Sequence, residues 1–274
     1  MNLSGELVLR NSASRMFLRA VGIEANPFTE MESFLLACQQ ANPRYKNGKD
    51  LVRFELEDEA LWPQDVHDAT LNLAGFLNMC RGETPLTGAW DIIIALGGAR
   101  RSPLHRACYA AQAVVDVRAT VSVAIAVAGS TRLLNDAEKA QVQDFAPGAE
   151  TEYDLCYGAA EKVKTHYPEL NVVSICKDDA KSGNDGVIDQ TIEVLDPETA
   201  EHKPLRVAAV TTRIYTVGLH LDMAKAAKRH SWRDYAAAGH ASDPETVFNR
   251  KTATYLSECL TTLRKAAIAH AEGC

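Results

Sequence analysis

Two short loops in this sequence have the residues to hold an anion. The first is Gly97-Gly98-Ala99-Arg100-Arg101-Ser102-Pro103, two glycines and two arginines in front of a helix start. Backbone N–H groups of a glycine turn and guanidinium forks are both good donors to phosphate or carboxylate. Arg106 lies one helical turn further on. The spacing is neither GxGxxG nor a P-loop, so the same residues also suit a tight strand-to-helix turn. The second loop, Gly129-Ser130-Thr131-Arg132, repeats the design with one glycine, a serine and one arginine. Its alternative is again a turn, with Arg132 as a solvated charge.

Two further segments carry polar groups that suit chemistry. Segment 146–154 gathers Glu150, Glu152 and Asp154 around Thr151. Carboxylates at a helix start are favoured by the helix dipole, which makes capping the simplest role. A base, a ribose-hydroxyl acceptor or a metal ligand is the functional alternative. Segment 211–215 puts Thr212, Arg213 and Tyr215 just past an apolar run, ahead of a basic helix containing His220. A lone helical histidine is more often structural, so His220 is given no catalytic role. No GxSxG, HExxH, DxDxDG or zinc-deaminase signature occurs. The seven cysteines (Cys38, Cys80, Cys108, Cys156, Cys176, Cys259 and Cys274) form no CxxC pair. Free thiols fit better than a disulfide scaffold or structural zinc, and no metal site is expected.

These residues need a frame to position them. The runs 91–96 (DIIIAL), 121–128 (VSVAIAVA), 171–176 (NVVSIC) and 206–211 (RVAAVT) are continuously apolar or β-branched. Such runs suit strands covered by helices on both faces. The stretches between them are long enough for right-handed crossovers. The fold expected is α/β, doubly wound, with a mostly parallel sheet and a helical N-terminal segment. Residues 1–88 form that segment, packed on a main domain of residues 89–274. Residues 177–205 interrupt the α/β rhythm around an expected strand at 191–195, as either a lid or a surface hairpin. Ser102-Pro103 predicts an N-cap serine before a helix. Asn135…Glu138 and Thr151…Asp154 predict capping boxes. Asp243-Pro244 starts a last long helix whose Phe248, Thr252, Tyr255, Leu256, Cys259, Leu263 and Ala267 share one face.

Composition excludes several classes. The chain has 274 residues, 46% hydrophobic and 24% charged, an ordinary globular balance. Its net charge of −7 argues against general nucleic-acid binding. The start of the sequence lacks the basic and apolar regions of a signal peptide. The apolar run 121–129 is about half a membrane-spanning length. The expectation is a soluble cytoplasmic protein with no membrane partner; the sequence leaves its oligomeric state open.

The order of features from residue 90 to 232 resembles the YdcF/SanA/ElyC-type domain. A strand beginning with Asp91 leads to Leu-Gly-Gly, then Ser102 and Arg106. A second strand ends in Gly129-Ser130, with Glu138 downstream. Thr151-x-x-Asp154 follows, and then a strand ending in Val-Thr-Thr with Tyr215. The chain departs from the family at Asp154, where Asn is usual, and at Thr216, where the family has His. The second strand also has one glycine, not two. The resemblance implies a Rossmann-like fold with a polar pocket at the strand ends. It also implies a nucleotide-like ligand such as S-adenosylmethionine, or work on cell-envelope precursors.

The residues and the resemblance together favour a small-molecule enzyme, a transferase or hydrolase acting on an anionic nucleotide-like or phosphosugar-like ligand. Gly97, Gly98, Arg100, Arg101, Ser102, Arg106, Gly129, Ser130, Arg132, Thr151, Thr212, Arg213 and Tyr215 are the candidate ligand-binding residues. Glu138, Glu150 and Asp154 are the candidate catalytic groups. The alternative is a non-enzymatic ligand-sensing or scaffold protein that uses the same pocket.

Overall fold

The computed structural model describes residues 3–48, 62–80, 82–178, 183–196, 204–241 and 252–274. Four helices come first: α1 (Gly5–Arg10), α2 (Ser12–Ala20), α3 (Met31–Ala41) and α4 (Gln64–Phe76). Strands and helices then alternate through β1 (Gly88–Leu96), α5 (Ser102–Val115), β2 (Ala119–Ser130), the short α6 (Asp136–Ala140) and α7 (Glu152–His166). They continue as β3 (Val172–Lys177), α8 (Asn184–Leu195), β4 (Arg206–Thr212), α9 (Thr216–Arg229) and β5 (Asp234–His240), and α10 (Thr252–Ala271) follows.

The chain divides into two compact units. Residues 83–212 and 223–240 form the sheet unit, and residues 1–82, 213–222 and 241–274 form the helical unit. In the sheet unit the five strands are parallel, in the order β3-β2-β1-β4-β5. The fold is therefore doubly wound α/β, and all four strands expected from the sequence are present. β5 is an additional strand. Ile92, Ile93 and Ile94 in β1 are fully buried, as are Ile125, Val127 and Ala208 beside them. Both faces of these strands must therefore be covered, which is why they read as unbroken apolar runs. Ile93, Ala95, Ile125, Val127, Ala208 and Val210 pack with the alanines of α5 and with Leu155, Ala159 and Val163 of α7. The small side chains of α5 let that helix lie close to the sheet.

The segment 184–195 corrects the expected strand at 191–195. It is α8, a helix packed along β1, β2 and β3. Val187, Ile188, Thr191 and Ile192 are its buried residues, a helical spacing that outweighs the strand preference of residues 191–195. The rest of the excursion at 179–182 and 197–203 lies outside the described residues, as do the expected helix start at Asp243 and Phe248.

In the helical unit, α10 packs against α1, α3 and α4. Phe17, Phe34, Leu73, Leu256, Leu260 and Leu263 share one apolar core. A Cβ on Gly5 would overlap the carbonyl of Ala266, so α1 crosses α10 with no side chain between their backbones. The C-terminal helix thus groups with the N-terminal helices. Among the described residues no helix is long and apolar enough to cross a membrane.

Candidate functional site

In a sheet of this order the crossovers leave in opposite directions from β1 and β4, and ligands of such folds bind outside the carboxyl ends there. β1 ends at the Gly97-Gly98 pair. The Gly97 amide donates to the Ala128 carbonyl (2.6 Å), which draws the ends of β1 and β2 together. A Cβ on Gly97 would come within 3.0 Å of Gly129 Cα and overlap the Glu152 carboxylate. Gly98 has φ +144° and Arg100 has φ +54°, so the chain turns sharply before α5. The amides of Gly98 and Ala99 donate to no group among the described residues.

Ser102 does not cap α5, contrary to the expectation. Arg101 holds the cap position without a side-chain hydrogen bond, and Ser102 is already helical. The tight turn through Arg100 moves the helix start one residue earlier, and the Ser102 amide donates to the Ala99 carbonyl (3.1 Å).

The arginines are largely engaged by the protein itself. Arg106 is buried. Its Nη1 donates to the carbonyls of Leu96 (3.0 Å) and Gly97, and its Nη2 to Thr212 Oγ1 (3.3 Å). This ties α5 to the ends of β1 and β4. Asp91 is not involved: it accepts from Ser122 Oγ and the Arg206 amide. Arg101 turns outward into a two-pronged pair with Asp144 (2.9 and 2.6 Å). Arg132 makes a similar fork with Glu138 (3.1 and 2.9 Å). Burial opposes the Arg132 charge, but Glu138 and Glu152 outweigh it and hold the guanidinium firmly protonated.

The carboxylates sort themselves in the same way. Glu138 is fully buried, and besides Arg132 it accepts the Asn135 amide, completing the capping box of α6. Asp154 Oδ2 accepts from the Glu150 and Thr151 amides and the Thr151 hydroxyl, while Thr151 Oγ1 accepts from the Asp154 amide, the second expected capping box. Burial works to raise the Asp154 pKa, yet these donors together hold it below the ordinary carboxylate range. Glu150 is exposed and paired with Lys139. Each of the three candidate catalytic carboxylates therefore has a structural partner.

Glu152, which is not one of the candidate catalytic groups, stands differently. Its Oε2 accepts from Ser130 Oγ (3.1 Å) and lies 3.5 Å from Arg132 Nε. Its side chain lies over both Gly97 and Gly129. No hydrogen bond reaches Oε1 among the described residues.

A second unforeseen group sits at the ends of β4 and β5. Thr212 and His240 are register partners, with Thr212 Oγ1 3.1 Å from His240 Nε2. The His240 ring meets His105 and Tyr109 of α5 edgewise or tilted. No sequence pattern marks it, because β5 carries no β-branched residue. Arg213 and Tyr215 follow in a short 3-10 turn that groups with the helical unit. Burial pushes the thiols of Cys156 and Cys259 well above their ordinary value and Cys38 up to about 12. These three thiols are poor nucleophiles. Among the described residues no group of three or more His, Cys, Asp or Glu side chains is arranged to hold a metal ion. In comparisons with known proteins the chain has no significant match to a family model, a curated protein or a solved structure.

Proposed function

We propose that this protein binds a small anionic, nucleotide-like or phosphosugar-like ligand beside the β1/β4 switch point and acts on it by group transfer or hydrolysis. The observation that carries the reading is the loop after β1. Its Gly98 and Ala99 amides have no acceptor among the described residues, α5 begins without a side-chain cap, and Arg106 is buried beneath the loop at the carbonyls of Leu96 and Gly97. Unused amides at a helix start beside a buried cation favour an anion. Arg100, Ser102 and Thr212, which follow the same two strand ends within the sheet unit, complete the proposed binding set.

The resemblance to the YdcF/SanA/ElyC-type domain belongs to this proposal. It adds S-adenosylmethionine and envelope precursors to the ligands worth testing, and a cytoplasmic location is proposed with it. A thermal-shift screen at millimolar nucleotides, S-adenosylmethionine and nucleotide-sugars tests the reading. At a ligand concentration 100 times Kd, binding stabilises by ~2.7 kcal/mol, a shift of several degrees. No shift with any of them overturns it.

A ligand-sensing protein without turnover is the second reading. The closed pairs Arg132–Glu138 and Arg101–Asp144 favour it, because they remove charged groups that chemistry would use. Product formation from a ligand that gives a thermal shift decides between the two.

A further inference from the structure

Of the carboxylates near the strand ends, Glu152 is held in place by one oxygen and leaves the other without a hydrogen bond among the described residues. Ser130 and Arg132 fix Oε2. The carboxylate can lie across the ends of β1 and β2 only because Gly97 and Gly129 lack side chains: a Cβ on Gly97 would overlap Oε1, and one on Gly129 would stand 3.3 Å from Glu152 Cγ. The Glu152 side chain is 15% exposed, which leaves Oε1 open to a donor from outside the protein, water or ligand.

The partner it suits can be narrowed. A divalent cation would find little else to bind, since Glu138 is occupied by Arg132 and Asn135, and Asp154 Oδ2 by the start of α7. An ammonium group would face Arg132 Nε, which already lies against the same carboxylate. A neutral hydroxyl donor meets neither objection. The Gly97 residue beneath Oε1 is also adjacent to Gly98, whose amide is one of the two proposed anion donors.

We propose that Glu152 accepts a hydrogen bond from a ligand hydroxyl close to the anionic group, which makes a hydroxyl-bearing phosphate such as a sugar phosphate, not a bare anion, the ligand class of the site. This rests on the anion-binding reading above. Ser130 is then a positioning residue that fixes the carboxylate.

Calorimetric titration with two probes, inorganic phosphate and ribose 5-phosphate, tests it in the full chain. The wild-type protein binds ribose 5-phosphate at least about tenfold more tightly than phosphate, one charged hydrogen bond's worth. Glu152→Gln removes most of that preference while phosphate affinity stays the same or rises. Glu152→Asp, which withdraws the oxygen but keeps the charge, also loses the preference. Ser130→Ala weakens ribose 5-phosphate binding a few-fold and leaves phosphate unchanged. A wild-type protein that does not discriminate, or a Glu152→Gln variant that loses both probes equally, overturns the role of Glu152 while leaving the anion site standing. A wild-type protein that binds neither probe overturns the anion site and this inference with it.

Discussion

After β2, Arg132 meets an acid of its own segment: Glu138, six residues on, buried and already fixed by the capping box of α6. After β1 there is no Asp or Glu from Gly97 through Val115. Arg101 has to reach across to Asp144, and Arg106 turns to backbone carbonyls instead. Two loops with the same glycine-and-arginine character are therefore built differently, one closed by a local ion pair and the other with amides left over. The nearest downstream carboxylate, more than the arginine itself, separates a structural turn from a candidate binding loop.

The largest expected effect tests the open loop. Arg106→Ala takes a buried donor from the carbonyls of Leu96 and Gly97 and leaves the Thr212 hydroxyl with His240. It should cost about 3 kcal/mol and lower the melting temperature by roughly 6–12 °C. An unchanged melting temperature would show that the guanidinium serves the ligand alone.

Next comes the closed loop. Glu138→Gln keeps the shape but removes the charge opposite Arg132, leaving Glu152 at the longer distance as its anionic partner beside the Leu133 carbonyl. A loss of about 2 kcal/mol in urea unfolding is expected, below the 3–5 kcal/mol of a fully buried pair because Arg132 is 28% exposed. If the variant is as stable as the parent, the pair is not what closes this loop.

A smaller effect concerns the helix that carries Glu152. Thr151→Ala removes the α7 cap and one donor to Asp154, costing about 1 kcal/mol. Because the Asp154 pKa is depressed on folding, its contribution to stability is present above the ordinary carboxylate pKa. That contribution is lost as pH falls through the folded value. The substitution raises the folded value, so acid unfolding should begin at higher pH. An identical acid limb in both proteins would argue that the hydroxyl contributes nothing there. Smallest of all, Arg101→Ala should leave the melting temperature unchanged, since its partner Asp144 is exposed.

The sequence revealed most of the sheet because β1, β2 and β4 are buried on both faces and therefore written in Ile, Val and Ala. β5 escaped notice because Asp-Tyr-Ala-Ala-Ala-Gly-His has no β-branched residue. Residues 191–195 misled for the opposite reason, being β-branched inside a helix whose periodicity starts at Val187. Of the site, the loops and capping boxes were legible as local patterns. The standing of Glu152 was not, because it depends on how closely Gly97 and Gly129 approach across two strands, and the engagement of each arginine depends on partners as distant in sequence as Asp144 and Thr212.

The place of α10 sets an order of events during synthesis. Phe17, Phe34 and Leu73 share a core with Leu256, Leu260 and Leu263, so α1–α4 emerge from the ribosome long before the helix they pack against. About 170 residues separate the end of the N-terminal segment from Thr252, roughly 10–30 s of translation. Strands β1 to β4 are complete about 40 residues before that, whereas the apolar face of the N-terminal helices stays uncovered until α10 is made. A released chain that ends just before Thr252 should therefore be cut by protease within residues 3–80 while the strands β1 to β5 resist. Protection of the N-terminal helices at that stage would mean that they hold together without α10.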